Sequence, residues 1–409
     1  DFDVNVVVKD VLKTNDVDLE NTALQISEKH GVITVNAQIQ HKLLYGGLFG
    51  KTHSTIGVQS VAGGAKNKLY EIALVIDNTE SMGFNGKMGA LRIGLFELLE
   101  GIEEIDPNTR VGLVPFARYV NVGIDKAGQP WLDTPASYDT ERTWQQATHS
   151  GGTCTTEPRT IMKDGEPYTY DAEVCTGRTT TYETMRRNVR SEFEGCVGVR
   201  KNRRHTLDGE YSLERVPGLL NTQPHERTGM SRDVEAWCPR KITPLTSDYA
   251  ALRYEVGELY PLDFTYIPLG LSWAERMLST EKPFADTVAD DNIQKVVVLM
   301  SDGKNTVAID DSTESRDDKT APPYLKKLDD DVIATQADND TLVMCSRLKG
   351  QNIKIYVIAF DIQDNSTHQL LRSCASSQST FYKADSNAEL IETFRSLTDL
   401  FEGELRIIQ

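Results

Sequence analysis

Along most of the chain, short apolar runs alternate with stretches whose apolar residues lie on one helical face. Residues 72–76 are continuously apolar and residues 111–116 nearly so, which is typical of buried strands. Between these runs, apolar residues recur every three or four positions from Met88 to Ile102, the spacing of one buried helical stripe. The pattern therefore predicts a strand, a helix and a second strand in succession.

The same alternation returns in the last third of the chain. Residues 295–300 and 353–360 are further apolar runs, and a helix through Leu342 and Leu348 is expected before the second run. A last amphipathic helix is expected through Leu390, Phe394, Leu397 and Phe401. Continuous apolar strands that alternate with amphipathic helices favour a mostly parallel sheet covered on both faces. The sequence thus predicts a doubly wound α/β domain.

Two regions depart from this rhythm. Residues 32–40 alternate loosely between apolar and polar, which predicts a half-buried strand with residues 4–8 as its partner, and the small polar residues 60–68 indicate a linker. A long middle region has no sustained helical period, and we expect a disulfide-stapled insertion of short strands and turns there. The predicted organisation is an N-terminal β element and linker at 1–67, the first part of the main domain at 68–123, the insertion at 124–255 and the second part of the main domain at 256–409.

Six cysteines lie at positions 154, 175, 196, 238, 345 and 374. They lack the closely spaced Cys and His pairs of zinc sites, so disulfides are the favoured interpretation. Fifteen pairings remain open, and proximity favours Cys154 with Cys175, Cys196 with Cys238, and Cys345 with Cys374. Bridged cysteines imply an extracytoplasmic location, whereas six reduced thiols would indicate the cytosol.

Composition narrows the classes of partner. The formal net charge is -17, which repels the phosphate backbone of nucleic acids and anionic membrane surfaces. No apolar run approaches the roughly 20 residues that a membrane-spanning helix needs. We therefore expect a protein partner rather than nucleic acid or lipid.

Oxygen-bearing side chains follow two of the predicted strands. Asp77, Thr79 and Ser81 stand at alternate positions directly after the first strand, and Asp302 follows a later one. The carboxyl ends of strands in such sheets converge on one ligand-binding edge. Small hard cations such as Mg²⁺ prefer oxygen ligands and retain several waters, which suits a few carboxylates and hydroxyls. The sequence predicts one divalent cation here, Mg²⁺ in the first place, with Mn²⁺ or Ca²⁺ as alternatives.

The residues that carry this pattern are similar to a known family. Residues 72–82 resemble the metal-ion-dependent adhesion site of von Willebrand factor A domains, whose loop reads Asp-x-Ser/Thr-x-Ser. The resemblance extends to TadG-type proteins of bacterial tight-adherence (Flp) pilus assembly, through residues 111–123 and 299–306 and through Cys345 and Cys374 near residues 381–382. In all it covers about residues 68–123 and 256–402, and more weakly 31–62.

The resemblance implies a function and a fifth metal ligand. In TadG-type proteins a Thr ahead of a Gly-Leu-x-Trp segment supplies the second metal loop, and Thr265 stands ahead of residues 270–273 here. Glu80 departs from the Gly usual in the loop and adds an acid beside the expected metal. The implied function is a non-enzymatic adhesion or assembly module of the cell envelope that grips an Asp or Glu carboxylate of a partner protein. Such proteins typically begin with a membrane helix that this sequence lacks, so we expect a processed or truncated form.

Other interpretations of the same residues stay open. A magnesium-dependent phosphoryl hydrolase could use Asp77 as a nucleophile. It would want an acid two residues on for proton transfer and a lysine to stabilise developing charge, but Thr79 stands at the first of these positions. A structural envelope subunit could carry a vestigial metal site. Alternatively, Asp77 and Ser81 could only cap a helix while Asp302 only makes a turn. Trp273 lies at helical spacing from Leu269 and is expected to be core.

Overall fold

The computed structural model describes residues 22–29, 32–42, 53–63, 69–163, 166–200, 215–223, 238–280, 283–284, 287, 290, 292–309, 325–326 and 330–406. The chain divides into two compact units, Asp1–Lys68 with Leu400–Gln409, and Leu69–Asp399.

The first unit contains a three-stranded antiparallel meander. Its strands are β1 (Thr22–Lys29), β2 (Val32–Lys42) and β3 (His53–Gly63), and β2 pairs with both neighbours along most of its length. The strand predicted at residues 32–40 is confirmed as β2. The expected partner strand at residues 4–8 lies outside the described residues. The linker predicted from residue 60 is wrong for residues 60–63, because β3 continues through them with a full ladder of backbone pairs.

Five parallel strands form the centre of the second unit. They are β4 (Leu69–Asp77), β5 (Arg110–Phe116), β14 (Ile293–Ser301), β17 (Lys354–Phe360) and β18 (Phe381–Ala384), in the order β18-β17-β14-β4-β5. Every adjacent pair among them is parallel. Residues 70–79 are all buried, as expected of a strand covered on both faces. The prediction of a mostly parallel sheet is confirmed, and the doubly wound arrangement stays a prediction.

Six α-helices are described in the structure. They are α1 (Lys87–Ile105), α2 (Tyr249–Gly257), α3 (Ile267–Met277), α4 (Asp330–Gly350), α5 (Asn365–Cys374) and α6 (Asn387–Arg406). The buried stripe predicted for α1 is confirmed. The helix predicted through Leu342 and Leu348 is confirmed as α4, in which Leu348 is buried and Leu342 is exposed.

Helix α3 packs closely on the sheet. A Cβ atom on Gly270 would approach the Phe116 ring to 2.9 Å and Val75 to 3.0 Å, so only glycine permits this spacing between helix and strands. Trp273, one turn further on, is 1% exposed and meets Trp131 edge-on at 5.9 Å. The expectation that Trp273 belongs to the core is confirmed. This packing fixes where the N-terminal end of α3 meets the sheet.

The predicted insertion consists mainly of long two-stranded ribbons rather than short strands. One ribbon pairs β8 (Tyr138–Ser150) with the first part of β11 (Thr179–Val197), and the other pairs β9 (Thr153–Lys163) with β10 (Glu166–Thr176). Backbone hydrogen bonds between the two strands satisfy the inward-facing polar groups of each ribbon, and the outward-facing groups are left to water, so the ribbons form without an apolar core. The expectation of short strands is therefore wrong for these residues.

Short elements attach the insertion to the main sheet. β6 (Val120–Asn121) and β12 (Val216–Gln223) both pair with the last part of β11, and β7 (Leu132–Asp133) pairs with β12. β13 (Thr243–Thr246) pairs antiparallel with β5. The small remaining strands are β15 (Ala308–Ile309) and β16 (Leu325–Lys326).

Three disulfides join Cys154 to Cys175, Cys196 to Cys238, and Cys345 to Cys374. These are the pairings that proximity in the sequence favours. The last of them ties the buried face of α4 to the end of α5. Within the described ranges, no helix combines the length and the apolar character needed to cross a membrane.

Candidate metal centre

The first part of the site is the turn that follows β4. Asp77 ends this strand, in which residues 70–77 are all buried, and its Oδ1 accepts hydrogen bonds from the Thr79 backbone N–H at 2.9 Å and from Thr79 Oγ1 at 2.6 Å. A single 3₁₀ turn, Glu80–Gly83, then turns the chain toward α1. Ser81 Oγ lies 3.0 Å from Thr79 Oγ1. The alternate spacing in the sequence thus brings one carboxylate and two hydroxyls together.

The second part comes from the end of the adjacent strand, β14. Ser81 Oγ donates to Asp302 Oδ1 at 2.6 Å, across 221 positions of sequence. Ser301, the last residue of β14, donates from Oγ to Asp77 Oδ2 at 2.6 Å. Because β4 and β14 are parallel neighbours, their carboxyl ends meet at the same edge of the sheet. Asp77, Thr79, Ser81 and Asp302 therefore form one continuous chain of oxygen atoms in contact, with a hydrogen bond to a carboxylate at each end.

Thr265 lies in the loop just before α3 and is 2% exposed. Its backbone is fixed by Thr306 from both sides: the Thr265 N–H donates to Thr306 Oγ1 at 2.8 Å, and the Thr306 N–H donates to the Thr265 carbonyl at 3.0 Å. Thr265 lines the same cleft as Ser81 and Asp302. The structure thus brings all five predicted ligands to one edge of the sheet, with Thr265 joined to the others through the cleft.

A lysine from α1 forms ion pairs with two carboxylates at this edge of the sheet. Lys87 Nζ lies 3.0 Å from Asp302 Oδ2 and 2.9 Å from Asp361 Oδ2, and its side chain is only 11% exposed. Asp361 directly follows β17, so a third strand end contributes a carboxylate. Lys87 thereby neutralises part of the negative charge that three strand ends bring together.

The buried carboxylates have perturbed acidities. Burial, reinforced by the nearby charge of Asp302, raises the pKa of Asp77 above its ordinary range. Burial also raises the pKa of Asp302, against the opposing effects of Lys87 and Ser81. Burial acts to lower the pKa of Lys87, but Asp302 and Asp361 more than offset it and the pKa is raised. The surroundings of Asp77 and Asp302 therefore disfavour their negative charges, even with Lys87 beside Asp302.

These residues fit a hard divalent cation. Every candidate ligand offers oxygen, as Mg²⁺ prefers, and the two carboxylates are buried and repel each other. A cation bound between them would relieve that repulsion. The set contains few carboxylates and three hydroxyls, so waters would complete the coordination of a magnesium-sized ion. The site therefore suits such a cation in three respects: its donors are oxygen atoms, its carboxylates are buried, and their negative charge is only partly balanced by Lys87.

A cleft of about 370 Å³ opens over this edge. Ser81, Thr265 and Asp302 line the cleft, and so do Phe84 and Tyr168. Tyr168 comes from β10, in the ribbon of the insertion. The insertion therefore reaches the candidate metal centre, which the sequence pattern gave no reason to expect.

Several residues of the site were not predicted from the sequence. Asp361 could have been found by the signal that identified Asp302, since both directly follow a continuous apolar strand. Lys87 and Ser301 carried no local signal. Glu80, the departure from the resembled loop, is exposed and is not among the described residues that line the cleft.

The sequence matches no family model and no curated protein. Among solved structures, the pilus adhesin SpaC from Lactobacillus rhamnosus GG is 14% identical, with 95% of this chain and 36% of SpaC covered and a TM-score of 0.41. The vWF domain of the type V pili tip protein Mfa5 from Porphyromonas gingivalis is 12% identical, covering 84% of this chain and 98% of that domain, with a TM-score of 0.43. The adhesive tip pilin GBS104 from Group B Streptococcus agalactiae is 12% identical over 82% of this chain and 100% of its own, with a TM-score of 0.41.

This chain spans about a third of the length of SpaC, since the match covers 36% of that protein. With identities of 12–14% and TM-scores of 0.41–0.43, these similarities establish neither a family nor a function. The likeness to TadG-type proteins in particular stays a prediction.

Proposed function

We propose that this protein binds one divalent cation, Mg²⁺ in the first place, and uses it to hold a carboxylate of a partner protein. Asp77, Thr79, Ser81, Thr265 and Asp302 would hold the ion. The observation that carries the proposal is the continuous chain of oxygen atoms from Asp77 to Asp302, buried at the ends of two adjacent parallel strands. When bound, the cation supplies a positive charge with exchangeable water positions that an incoming carboxylate can take.

The surroundings of the ligands favour adhesion over hydrolysis. Thr79 occupies the position where a hydrolase of this kind would need a proton-transferring acid, and its hydroxyl is engaged with Asp77 and Ser81. Lys87 is held between two carboxylates of the chain itself. The residues at this edge therefore bind and orient rather than transfer protons, and we infer a non-enzymatic role.

The three disulfides support a location outside the reducing cytoplasm. We propose the cell envelope or cell surface, with adhesion or pilus assembly as the setting, on the sequence resemblance to TadG-type proteins.

The decisive experiment is a calorimetric titration of the purified protein with MgCl₂, MnCl₂ and CaCl₂. We expect one bound ion, and we expect Asp77→Ala to weaken its binding at least about 100-fold, which corresponds to about 2.7 kcal/mol. Asp77→Asn keeps the shape of the side chain and one acceptor oxygen, enough for Thr79, but removes the charge and the acceptor of Ser301. The matched control is Asp133→Ala, an exposed aspartate on β7.

Circular dichroism establishes that each variant is folded. Retention of ion binding by both Asp77 variants would refute the assignment of the site. An absence of any ion binding by the native protein would favour a structural subunit with a vestigial site.

A further inference from the structure

The insertion forms a folded-back arm, defined here as residues 138–191. Its first ribbon, β8 with β11, leads away from the main sheet, and its second ribbon, β9 with β10, continues from it through two glycine-containing bends. Gly151 and Gly152 form one bend and Gly177 the other, all with positive φ angles of 70–85°. A Cβ on Gly152 would lie 2.7 Å from the Thr176 carbonyl oxygen, so the bend requires glycine. These bends set the direction of the second ribbon.

The second ribbon is held together by its own cross-strand contacts. Cys154 and Cys175 are directly paired in the ladder and form a disulfide near the bends. Further along, Thr160 Oγ1 and Thr169 Oγ1 lie 2.7 Å apart. Cross-strand contacts therefore stabilise the second ribbon, whose described side chains form no apolar core of their own.

Tyr168, close to the far end of this ribbon, lies beside the metal loop. Its ring centroid is 4.6 Å from that of Phe84 and 6.1 Å from that of Tyr170, which is stacked on it. Phe84 directly follows the 3₁₀ turn that contains Ser81, and its backbone N–H donates to the Ser81 carbonyl. An aromatic pair is thus fixed three residues from a candidate metal ligand.

The cleft has room for more than the carboxylate that a metal would hold. Its volume of about 370 Å³ falls in the range of small-ligand sites and exceeds that of one Asp or Glu side chain. The candidate ligands Ser81, Thr265 and Asp302 and the aromatic residues Phe84 and Tyr168 line the same cleft. A partner segment that places a carboxylate on the metal therefore has room to place a neighbouring group against the two rings.

The polar groups of the cleft favour an apolar neighbour. Asp361 is engaged by Lys87, and Asp364 accepts hydrogen bonds from Ser366 and Thr367 at the start of its own helix. Both carboxylates thus already have partners within the chain, whereas the half-buried rings of Phe84 and Tyr168 offer apolar surface and edge or face contacts to another ring.

We propose that Phe84 and Tyr168 form an aromatic subsite beside the metal, which selects a peptide segment whose Asp or Glu is followed by an aromatic residue. This inference rests on the proposed metal-dependent binding of a carboxylate and adds the specificity of the partner. The arm is then the specificity-determining side of the binding cleft, and the strand ends are its metal-binding side.

The test uses two blocked dipeptides as probes, N-acetyl-Asp-Trp-amide and N-acetyl-Asp-Gly-amide, titrated into the full chain with MgCl₂ and followed by ligand-observed NMR. The tryptophan probe is expected to bind about three- to tenfold more tightly, the range that an aromatic contact supplies. Tyr168→Ala should abolish the preference, and Tyr168→Phe should retain it. Tyr182→Ala, on the same arm but 68% exposed and away from the cleft, is the matched control.

The outcomes separate the two levels of the proposal. Equal binding of both probes to the native protein, or an unchanged preference in Tyr168→Ala, would overturn the aromatic subsite while leaving metal-dependent carboxylate binding intact. Binding of neither probe in a Mg²⁺-dependent manner would overturn the proposed function and the subsite with it. Tighter binding of a neutral methyl glycoside, lost in Tyr168→Ala, would assign the rings to carbohydrate and overturn the peptide specificity.

Discussion

The two sides of the cleft are stabilised in different ways. On the side of the strand ends, residues 70–79 are all buried, and two of the candidate metal ligands, Asp77 and Thr79, lie at the end of this buried strand. On the side of the arm, nearly all described side chains of β8, β9 and β10 are exposed or half-buried. Burial of apolar area positions the first side, whereas backbone pairing, glycine bends and a disulfide position the second.

The difference has a functional meaning. A metal site needs ligands fixed to within fractions of an ångström, which a packed core provides. A surface that adapts to a partner benefits from lower local stability, which elements with few buried apolar contacts have. The molecule therefore combines a rigid metal-binding side with a less stable side that can be altered without loss of the fold.

The largest effect is expected from a change in the packed side. Leu74, at the centre of β4, is 0% exposed. Leu74→Ala should lower the free energy of unfolding by about 2–5 kcal/mol, because the buried methyl groups leave a cavity. Tyr182→Ala in the arm should change it by less than about 0.5 kcal/mol. Denaturant titrations of the two variants and the native protein measure both values, and similar losses would contradict the comparison.

A smaller contrast is expected between two disulfides. Cys345 and Cys374 are fully buried and join α4 to α5, so replacing both by Ala should cost about 2–4 kcal/mol of unfolding free energy. Replacing Cys154 and Cys175 by Ala should leave global unfolding within about 0.5 kcal/mol, since the arm opens locally. Limited proteolysis should then cut the arm faster. A global loss of equal size for both pairs would show that the arm unfolds with the core.

The smallest effect on the metal is expected from removing the second ribbon. A Cβ on Gly177 would lie 3.9 Å from the Gly152 Cα, so the two residues are close enough to be joined directly. Deletion of residues 153–176 should leave Mg²⁺ affinity within about twofold, or about 0.4 kcal/mol, of the native value. It should also abolish the preference for the tryptophan probe. Calorimetry of the deletion variant checks this, and a large loss of Mg²⁺ binding would mean that the arm supports the metal ligands themselves.

The predictions from sequence succeeded where local periodicity carries the information. We predicted β4 from the apolar run at residues 72–76 and α1 from the apolar stripe that begins at Met88. Burial on both faces of a strand requires consecutive apolar residues, and burial on one helical face requires apolar residues every three or four positions. The same reasoning failed in the insertion. A two-stranded ribbon exposed on both faces buries nothing, so neither its length nor its partner leaves an apolar period to read.

The sequence by itself determined the buried strands and the amphipathic helices that carry an apolar period, such as β4 and α1, and the oxygen donors in the turn from Asp77 to Ser81, since both depend on neighbours in sequence. Only the tertiary structure decided that Lys87 bridges Asp302 and Asp361, and that Tyr168 meets Phe84. Those contacts join residues far apart along the chain, and their geometry follows from how strands align at one edge of a sheet and how a ribbon turns at glycines. Side-chain contacts of that kind have no local signature in the sequence.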